Sequence, residues 1–406
     1  MTNSRQMIAN GSSADAPASA HVARAGYALA PAAAETVAKF YARHAPPGGG
    51  HAEHARALIP DAATVTAMVD AAFWASLHRE EGRPPLISLA FVPPDRAGQP
   101  LTFARPLPLN PDALARLSPA VERPGIHLGL WRNGDDASLS VWGATRKLPE
   151  LCFVIEVVEP GLLVLKYRRG PEIGKFGNMA VLRADRIRVM DEESAYHPDC
   201  PTLLGALFAA LLDLDADPVR RDAGTTLLQL AVSMRSHGRG GVLLVMPHGT
   251  DLWKESIVQP VSYEIDPPFA RLAALLALPP EERGRAGGRD GVGKLIDTIA
   301  GLTAVDGAAV ITDRYDVLAF GAKIGRREGF GAVEQVRVLE PVLDDQPTLV
   351  PPVQLGGTRH LSAAQFIHDQ RDAIALVASQ DGRFTVFAWS EEDGMVQAHR
   401  IETLLF

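Results

Sequence analysis

The chain has 406 residues and a formal net charge of −8, and it contains 47% hydrophobic and 22% charged residues. This length predicts two or three domains, each large enough to bury its own core. Proteins that bind nucleic-acid phosphates usually have a basic surface, and the negative net charge gives no indication of one, so nucleic acid is not an expected partner. Two cysteines, Cys152 and Cys200, are too few for a disulfide framework, and the apolar surroundings of Cys152 predict a buried thiol.

The N-terminus lacks the basic segment and apolar core of a secretory signal, and the longest apolar stretch, Leu203–Leu212, is too short to span a bilayer. We therefore expect a cytoplasmic protein without a membrane partner. Residues 1–33 are rich in small and polar residues and predict a disordered head.

A helical segment is predicted for residues 34–84, with helices at Ala34–His44 and about Ala62–Arg79, where apolar residues recur at helical spacing. Residues 85–198 then predict a mostly β domain, because short β-branched or alternating runs are separated by turn residues. The predicted strands are Leu86–Val92, Leu101–Phe103, Ile126–Trp131, Ser138–Trp142, Leu151–Val158, Leu162–Tyr167 and Met179–Val189.

In residues 199–406, helices alternate with short buried strands. The predicted helices are Leu203–Leu212, Ala223–Ser236, Pro268–Leu276, Val292–Leu302 and Ser362–Arg371. The predicted strands are Gly241–Met246, Ser256–Ile265, Gly307–Thr312, Val317–Ala322, Ala373–Ala378 and Arg383–Trp389. Such alternation is typical of a sheet covered by helices. The fold class is therefore α/β (α+β overall), with a C-terminal mixed sheet flanked by helices and preceded by a mostly β domain.

The tripeptide Asp306-Gly307-Ala308 precedes a predicted buried strand. A carboxylate beside glycine at the end of a strand can hold a hard cation, and glycine lets a ligand approach the backbone. An ordinary turn before a strand explains the same residues. The tripeptide alone leaves both interpretations open.

A second motif, residues 356–360, directly precedes a predicted helix. Thr358 offers a hydroxyl group or an N-cap, and the planar guanidinium of Arg359 suits phosphate. The start of a helix adds unpaired N–H groups and a positive dipole end. The alternative is a capped helix with exposed Arg359 and His360.

The order of three segments, residues 306–324, 357–362 and 375–386, resembles the diadenylate cyclase domain superfamily, whose Asp-Gly-Ala and Gly-Thr-Arg-His motifs occur in this sequence. The resemblance runs from about Arg220 to Phe406. Residues 73–83, the predicted β region and residues 240–263 are similar to a group of related probable sensor domains called DACNV. This closer similarity implies a nucleotide-sensing role and does not by itself imply synthesis.

The resemblance implies one ATP per domain and a divalent metal, Mg²⁺ or Mn²⁺, held by the catalytic Asp306. It implies that Arg359 and His360 take part in catalysis when two domains face each other in a homo-oligomer. The positions that it assigns to nucleotide binding are Gly307, Ala308, Thr358, Arg359, His360, Ser379 and Gln380.

The sequence departs from the synthase pattern at two positions: Leu361 replaces a second arginine, and Gln380 replaces a glutamate. Losing a phosphate-facing cation affects catalysis more than binding. The first hypothesis is therefore a sensor that binds ATP or a cyclic dinucleotide and signals to an effector protein. The alternatives are an active diadenylate cyclase that makes cyclic di-AMP, and a structural or interaction protein.

Two further segments have competing interpretations. Trp253 and Lys254 follow a buried strand and could contact a base and a phosphate, or form a buried indole beside an exposed charged pair. Residues 288–294 have the spacing of a phosphate-binding loop, but no strand precedes them and Leu295 stands where a hydroxyl residue must bind magnesium. We interpret residues 288–294 as the entry to a helix.

Overall fold

The computed structural model of the chain describes residues 25–44, 58–133, 138–169, 176–191, 202–212, 218–279, 282–283, 288–343 and 346–406. Helices and two mixed sheets build it, which confirms the predicted fold class. In this described part, no helix is both long and apolar enough to cross a membrane. Cys200 and residues 1–24 of the predicted head lie outside the described residues.

The first sheet has eight strands in the order β2-β4-β3-β1-β5-β6-β7-β8. It is antiparallel except for the parallel pair of β1 and β3. Its strands are β1 (Ile87–Phe91), β2 (Leu101–Pro108), β3 (His127–Asn133), β4 (Ser138–Thr145), β5 (Phe153–Glu159), β6 (Leu162–Arg168), β7 (Phe176–Arg183) and β8 (Arg186–Val189).

Three helices share one apolar core with this sheet: α1 (Ala30–His44), α2 (Ala62–Ser76) and α3 (Pro111–Val121). Asp61 caps α2 by accepting a hydrogen bond of 2.8 Å from the backbone N–H of Thr64. The rings of Tyr27 and Phe73 stack 3.6 Å apart and join the segment before α1 to α2. We call this sheet with its helices the first unit.

Three details of the first unit differ from the prediction. Helix α1 begins at Ala30 because Ala30 and Ala33 are buried. Helix α3 was not predicted, because Pro119 lies inside it and proline usually interrupts a helix. Asn110 caps this helix at its N-terminus. The single strand predicted for Met179–Val189 is instead two antiparallel strands, because the chain turns at Ala184, whose φ is +52°.

The second sheet has nine strands in the order β10-β12-β11-β9-β15-β16-β17-β13-β14. Its strands are β9 (Gly241–Met246), β10 (Tyr263–Phe269), β11 (Ala308–Thr312), β12 (Val317–Ala322), β13 (Val336–Leu339), β14 (Thr348–Val350), β15 (Ile374–Ala378), β16 (Phe384–Ser390) and β17 (Met395–Arg400). Strands β9, β11, β15 and β16 are buried along their whole length, so they form the centre of the second unit.

Helices cover both faces of this sheet, as predicted. One face packs against α4 (Thr202–Leu212), α5 (Pro218–Ser236), α6 (Arg271–Leu276) and α7 (Gly288–Leu302), and the other against α8 (Thr358–Asp369). Residues 288–294 lie within α7, which confirms their interpretation as a helix entry. The strand predicted for Ser256–Ile265 was wrong in its first part, because Ser256 ends a 3₁₀ turn and Pro260, which has no N–H to donate, lies before the start of β10 at Tyr263. Strands β13, β14 and β17 were not predicted.

The two units are joined by backbone and side-chain contacts. Met190 pairs with Val342 in an antiparallel bridge, and Asn178 donates a hydrogen bond of 2.7 Å to the carbonyl of Thr403. Phe406 packs against the buried residues Leu162, Val164 and Val181 of the first sheet. The chain end of the second unit therefore lies on the first sheet.

Candidate functional site

One edge of the second sheet gathers the predicted site segments. Gly241, at the start of β9, lies opposite Ala378 at the end of the antiparallel β15. Ala308, at the start of β11, lies between Val242 and Ala322. The residues just outside these strands therefore meet at one edge. They are Arg239, Gly240, Asp306, Gly307, Lys323, Ser379 and Gln380. We call this edge the motif edge.

The carboxylate of Asp306 is exposed at the motif edge and accepts a hydrogen bond from the ammonium group of Lys323. That hydrogen bond and the charge of Lys323 lower the pKa of Asp306, and the more distant charge of Arg359 lowers it further. Asp306 and Arg359 both lie at the motif edge, because the guanidinium of Arg359 lies at Gly240 just before β9, and Asp306 lies just before the neighbouring strand β11. The structure brings these two predicted site residues together.

The half-buried side chain of Arg359 lies over Gly240. A Cβ atom added to Gly240 would come within 2.9 Å of the guanidinium Nη1 and 3.0 Å of the Ala378 carbonyl, so only glycine leaves this space open. Gln380 borders the same space and donates a hydrogen bond of 3.3 Å to the carbonyl of Arg239. Within the described residues, Arg359 forms no ion pair, which leaves its fork of N–H donors available.

Two glycines allow β11 and β12 to approach at the motif edge. A Cβ atom on Gly307, whose φ is +119°, would lie 2.4 Å from the carbonyl carbon of Gly321. A Cβ atom on Gly321 would lie 2.8 Å from the ring of Tyr263. The Tyr263 side chain and Gly307 therefore lie on either side of β12, which separates β10 from β11. Its ring stacks on Phe320 at 4.6 Å, yet 51% of Tyr263 is exposed.

Thr358 and His360 have different environments. Thr358 is exposed and is the first residue of α8, whereas Gly357 occupies the N-cap, so of the two roles left open for Thr358 the N-cap is not the one observed. His360 is buried against the sheet, where its Nε2 lies 3.5 Å from the Thr385 hydroxyl. Burial lowers the pKa of His360 to about 4, and nearby arginines add to this effect. Its expected contact with phosphate stays a prediction.

The last motif is a turn between β15 and β16. The backbone N–H of Ser379 donates to the carbonyl of Arg383 over 2.9 Å. Burial raises the pKa of Asp381, but hydrogen bonds from Ser379 and Arg383 outweigh this and lower it, so Asp381 is ionised at neutral pH. An acidic group is therefore present one residue after Gln380.

The two substituted motif positions, Leu361 and Gln380, are both exposed. Trp253 is buried, and Lys254 pairs with Glu264 over 2.7 Å, which supports the plainer interpretation of these two residues. Sequence reasoning missed Tyr263 and Gly240 as members of the motif edge. Only strand pairing brings them there, and no local pattern signals it.

A metal at this edge would have few protein ligands. In the part of the chain that the structure describes, no three His, Cys, Asp or Glu side chains cluster as a metal site. Mg²⁺ often binds through one or two carboxylates together with the phosphates of a substrate. The single carboxylate of Asp306 fits that mode once Lys323 turns toward the phosphates.

The family comparison concerns the first unit, whereas the motif edge belongs to the second. The family model described as Probable sensor domain DACNV matches residues 54–146, which include α2, α3 and β1–β4 of the first unit. No curated protein matches the chain. A crystal structure described as a hypothetical membrane spanning protein from Bacillus cereus is 13% identical, with a TM-score of 0.26, and the match covers 48% of this chain and 71% of that chain. Residues 54–146 are therefore similar to a probable sensor domain.

Proposed function

We propose that this chain is a sensor that binds a nucleotide, ATP or a cyclic dinucleotide, at the motif edge. The observation that carries the proposal is the position of Arg359, which lies at Gly240 on the same edge as Asp306 and has no ion pair in the described residues. An uncommitted guanidinium beside a carboxylate–ammonium pair suits a phosphate group and its metal.

The phosphates would contact Arg359 and Lys323, and the backbone N–H groups at the start of α8 would add further donors. Asp306 would hold Mg²⁺ or Mn²⁺ that arrives with ATP. When bound, the metal would neutralise phosphate charge. Gly307 and Ala308 would let the nucleotide approach the backbone, because a side chain at Gly307 would meet Gly321.

Binding is favoured over catalysis because both altered positions belong to the motif segments: Leu361 follows Arg359 by two residues in α8, and Gln380 lies in the turn after β15. Leu361 cannot replace an arginine as a donor to phosphate, and Gln380 lacks the charge of a glutamate. One observation favours the second candidate, an active diadenylate cyclase: the ionised Asp381 lies next to Gln380 in the same turn. In that case two copies of the chain would face each other as a homo-oligomer.

The sensor role rests on the similarity of residues 54–146 to a probable sensor domain and on the contact between the two units. Arg235 of α5 places its guanidinium 3.9 Å over the ring of Phe406, which packs on the first sheet. Packed residues thus connect the second unit with the first. A conformational change on nucleotide binding would pass through this contact, and an effector protein would bind the changed surface.

The replacement Arg359→Ala is expected to weaken ATP binding about 30-fold, because a charge-assisted hydrogen bond to phosphate contributes about 2 kcal/mol. Isothermal titration with ATP and with cyclic di-AMP, each with Mg²⁺, measures the change. Arg314→Ala is the matched control, because Arg314 is exposed in the turn at the other end of β11. If neither nucleotide binds the unmodified protein, or if both variants bind alike, the proposal is wrong.

A second measurement separates the two candidate functions. The protein is incubated with ATP and Mn²⁺, and cyclic di-AMP is sought by mass spectrometry. The sensor proposal expects nucleotide binding without product. Product that disappears in Asp306→Ala would replace the sensor-only proposal by an active cyclase.

Tyr263 is expected to stack on the base of the nucleotide. Tyr263→Ala should weaken ATP binding about tenfold, since stacking a base on an aromatic ring contributes about 1–3 kcal/mol. Tyr263→Phe should keep the affinity. Pyrophosphate, which has no base, should bind both variants and the unmodified protein equally when measured by titration calorimetry. An equal loss for ATP and pyrophosphate would contradict stacking.

A further inference from the structure

A pocket of about 470 Å³ opens at the end of the sheet opposite to the motif edge. It lies beyond Met246, the last residue of β9, which runs parallel to β11. Ligands of open α/β sheets often bind outside the carboxyl ends of parallel strands, and pockets for small molecules have volumes of about 300–1,000 Å³. Position and size therefore both suit a small ligand.

Hydrogen bonds around Asp369 hold the walls of this pocket. The buried carboxylate of Asp369 accepts hydrogen bonds of 2.9 Å from the backbone N–H of Arg327 and 2.8 Å from the amide of Gln365. Gln370 donates hydrogen bonds of 2.9 Å to the carbonyl of Leu252 and to the hydroxyl of Ser256. Three chain segments are thereby joined, so the pocket is formed before any ligand arrives.

Two charged side chains that line the pocket have no ionic partner among the described residues: Arg371 and Asp372. The guanidinium of Arg371 lies 4.0 Å from the centre of the Trp389 ring, and this cation–π contact fixes its position. Arg327, in contrast, is paired with Glu255 over 2.7 Å. One uncommitted cation and one uncommitted anion therefore face the same small space.

The remaining surface of the pocket is largely apolar. Met246, Pro247, Leu252 and Phe330 contribute to its lining, and Arg327 lies over the Phe330 ring at 5.0 Å. The Thr250 hydroxyl accepts from the backbone N–H of Leu252, and its own proton remains available to a ligand.

We propose that this pocket binds a small zwitterion of the α-amino acid class. The carboxylate of the ligand pairs with the Arg371 fork, the ammonium group pairs with Asp372, and the side chain rests on the apolar lining. A phosphate or a simple carboxylate leaves Asp372 unpaired and is repelled by it. The pocket is separate from the motif edge, although α8 begins at one and ends at the other.

The test is a thermal-shift screen of the full chain with each proteinogenic L-amino acid, followed by titration calorimetry of those that bind. We expect at least one to bind, and its analogues without the amino group or without the carboxyl group to bind at least about tenfold more weakly. Arg371→Ala and Asp372→Asn should each weaken binding by a similar factor. Both residues are exposed, and circular dichroism checks that the variants fold.

Arg326→Ala is the matched control, because Arg326 is exposed next to Arg327 and does not line the pocket. Its affinity for the amino acid should be unchanged. The proposal is overturned if no amino acid binds, if Arg371→Ala binds as tightly as Arg326→Ala, or if the analogue without an amino group binds equally well. None of these outcomes depends on nucleotide binding at Arg359.

Discussion

The protein is expected to lose several kcal/mol of stability when the pH falls from about 6.5 to about 4. Two buried histidines stay neutral in the folded state over this range, whereas the same histidines take up protons in the unfolded chain. Burial lowers the pKa of His127 to about 4 in the first unit and that of His360 to about 4 in the second. In the unfolded chain both have the ordinary value of 6.5. Below that value the unfolded state binds more protons than the folded state, so acid favours unfolding.

Each histidine can contribute up to about 3 kcal/mol, since one pKa unit corresponds to about 1.4 kcal/mol. This stability is fully present above pH 6.5 and is lost as the pH falls through the window to about 4. Around His127, the charge of Glu156 opposes the lowering of the pKa, while Lys166 and Arg168 add to it. Urea denaturation at a series of pH values measures the free energy of unfolding.

The variants His127→Asn and His360→Asn should each flatten the dependence of stability on pH, because asparagine does not take up a proton in this range. His44→Gln is the control, since His44 is exposed at the end of α1. The control should keep the dependence of the unmodified protein. A double variant of His127 and His360 that is as acid-sensitive as the unmodified protein would contradict the explanation.

The replacement Gly307→Ala is expected to destabilise the second unit by about 3 kcal/mol or more. Its φ of +119° is strained for any residue with a Cβ atom, and that atom would lie 2.4 Å from the Gly321 backbone. Strain of this kind costs about 1–3 kcal/mol, and overpacking costs a similar amount. The backbone of a central strand pair cannot yield as a flexible side chain would.

Gly357→Ala is the control at the start of α8, because nothing lies within 4 Å of an added Cβ atom and its φ is −73°. Urea denaturation without nucleotide should give a clearly lower midpoint for Gly307→Ala, whereas Gly357→Ala should lose at most about 1 kcal/mol of unfolding free energy, because alanine is a poorer N-cap than glycine. Equal midpoints for the two variants would mean that β11 and β12 separate easily at Gly307.

Several strands could be predicted because their signal is local. Gly241–Met246 and Val317–Ala322 agree with β9 and β12 at both ends, since each is a short apolar run between turn residues. The strands β13 and β14 were missed because they have only four and three residues, and the residues of the edge strand β14 are largely exposed. The exposed strand β10 was predicted too early, since the apolar residues Ile257, Val258 and Val261 lie between the 3₁₀ turn and β10 and do not belong to the strand.

The amino-acid sequence by itself determined which groups we propose for nucleotide binding: the carboxylate of Asp306, the guanidinium of Arg359 and the glycines beside them. Only the tertiary structure decided that they share one edge, because β9, β11 and β15 are neighbours in the sheet but come from distant parts of the chain. Their register follows from the burial of side chains on both faces of the sheet, which no local pattern encodes. For the same reason, the positions of Tyr263 and Lys323 at the motif edge and of Arg371 and Asp372 at the opposite pocket followed only from the folded chain.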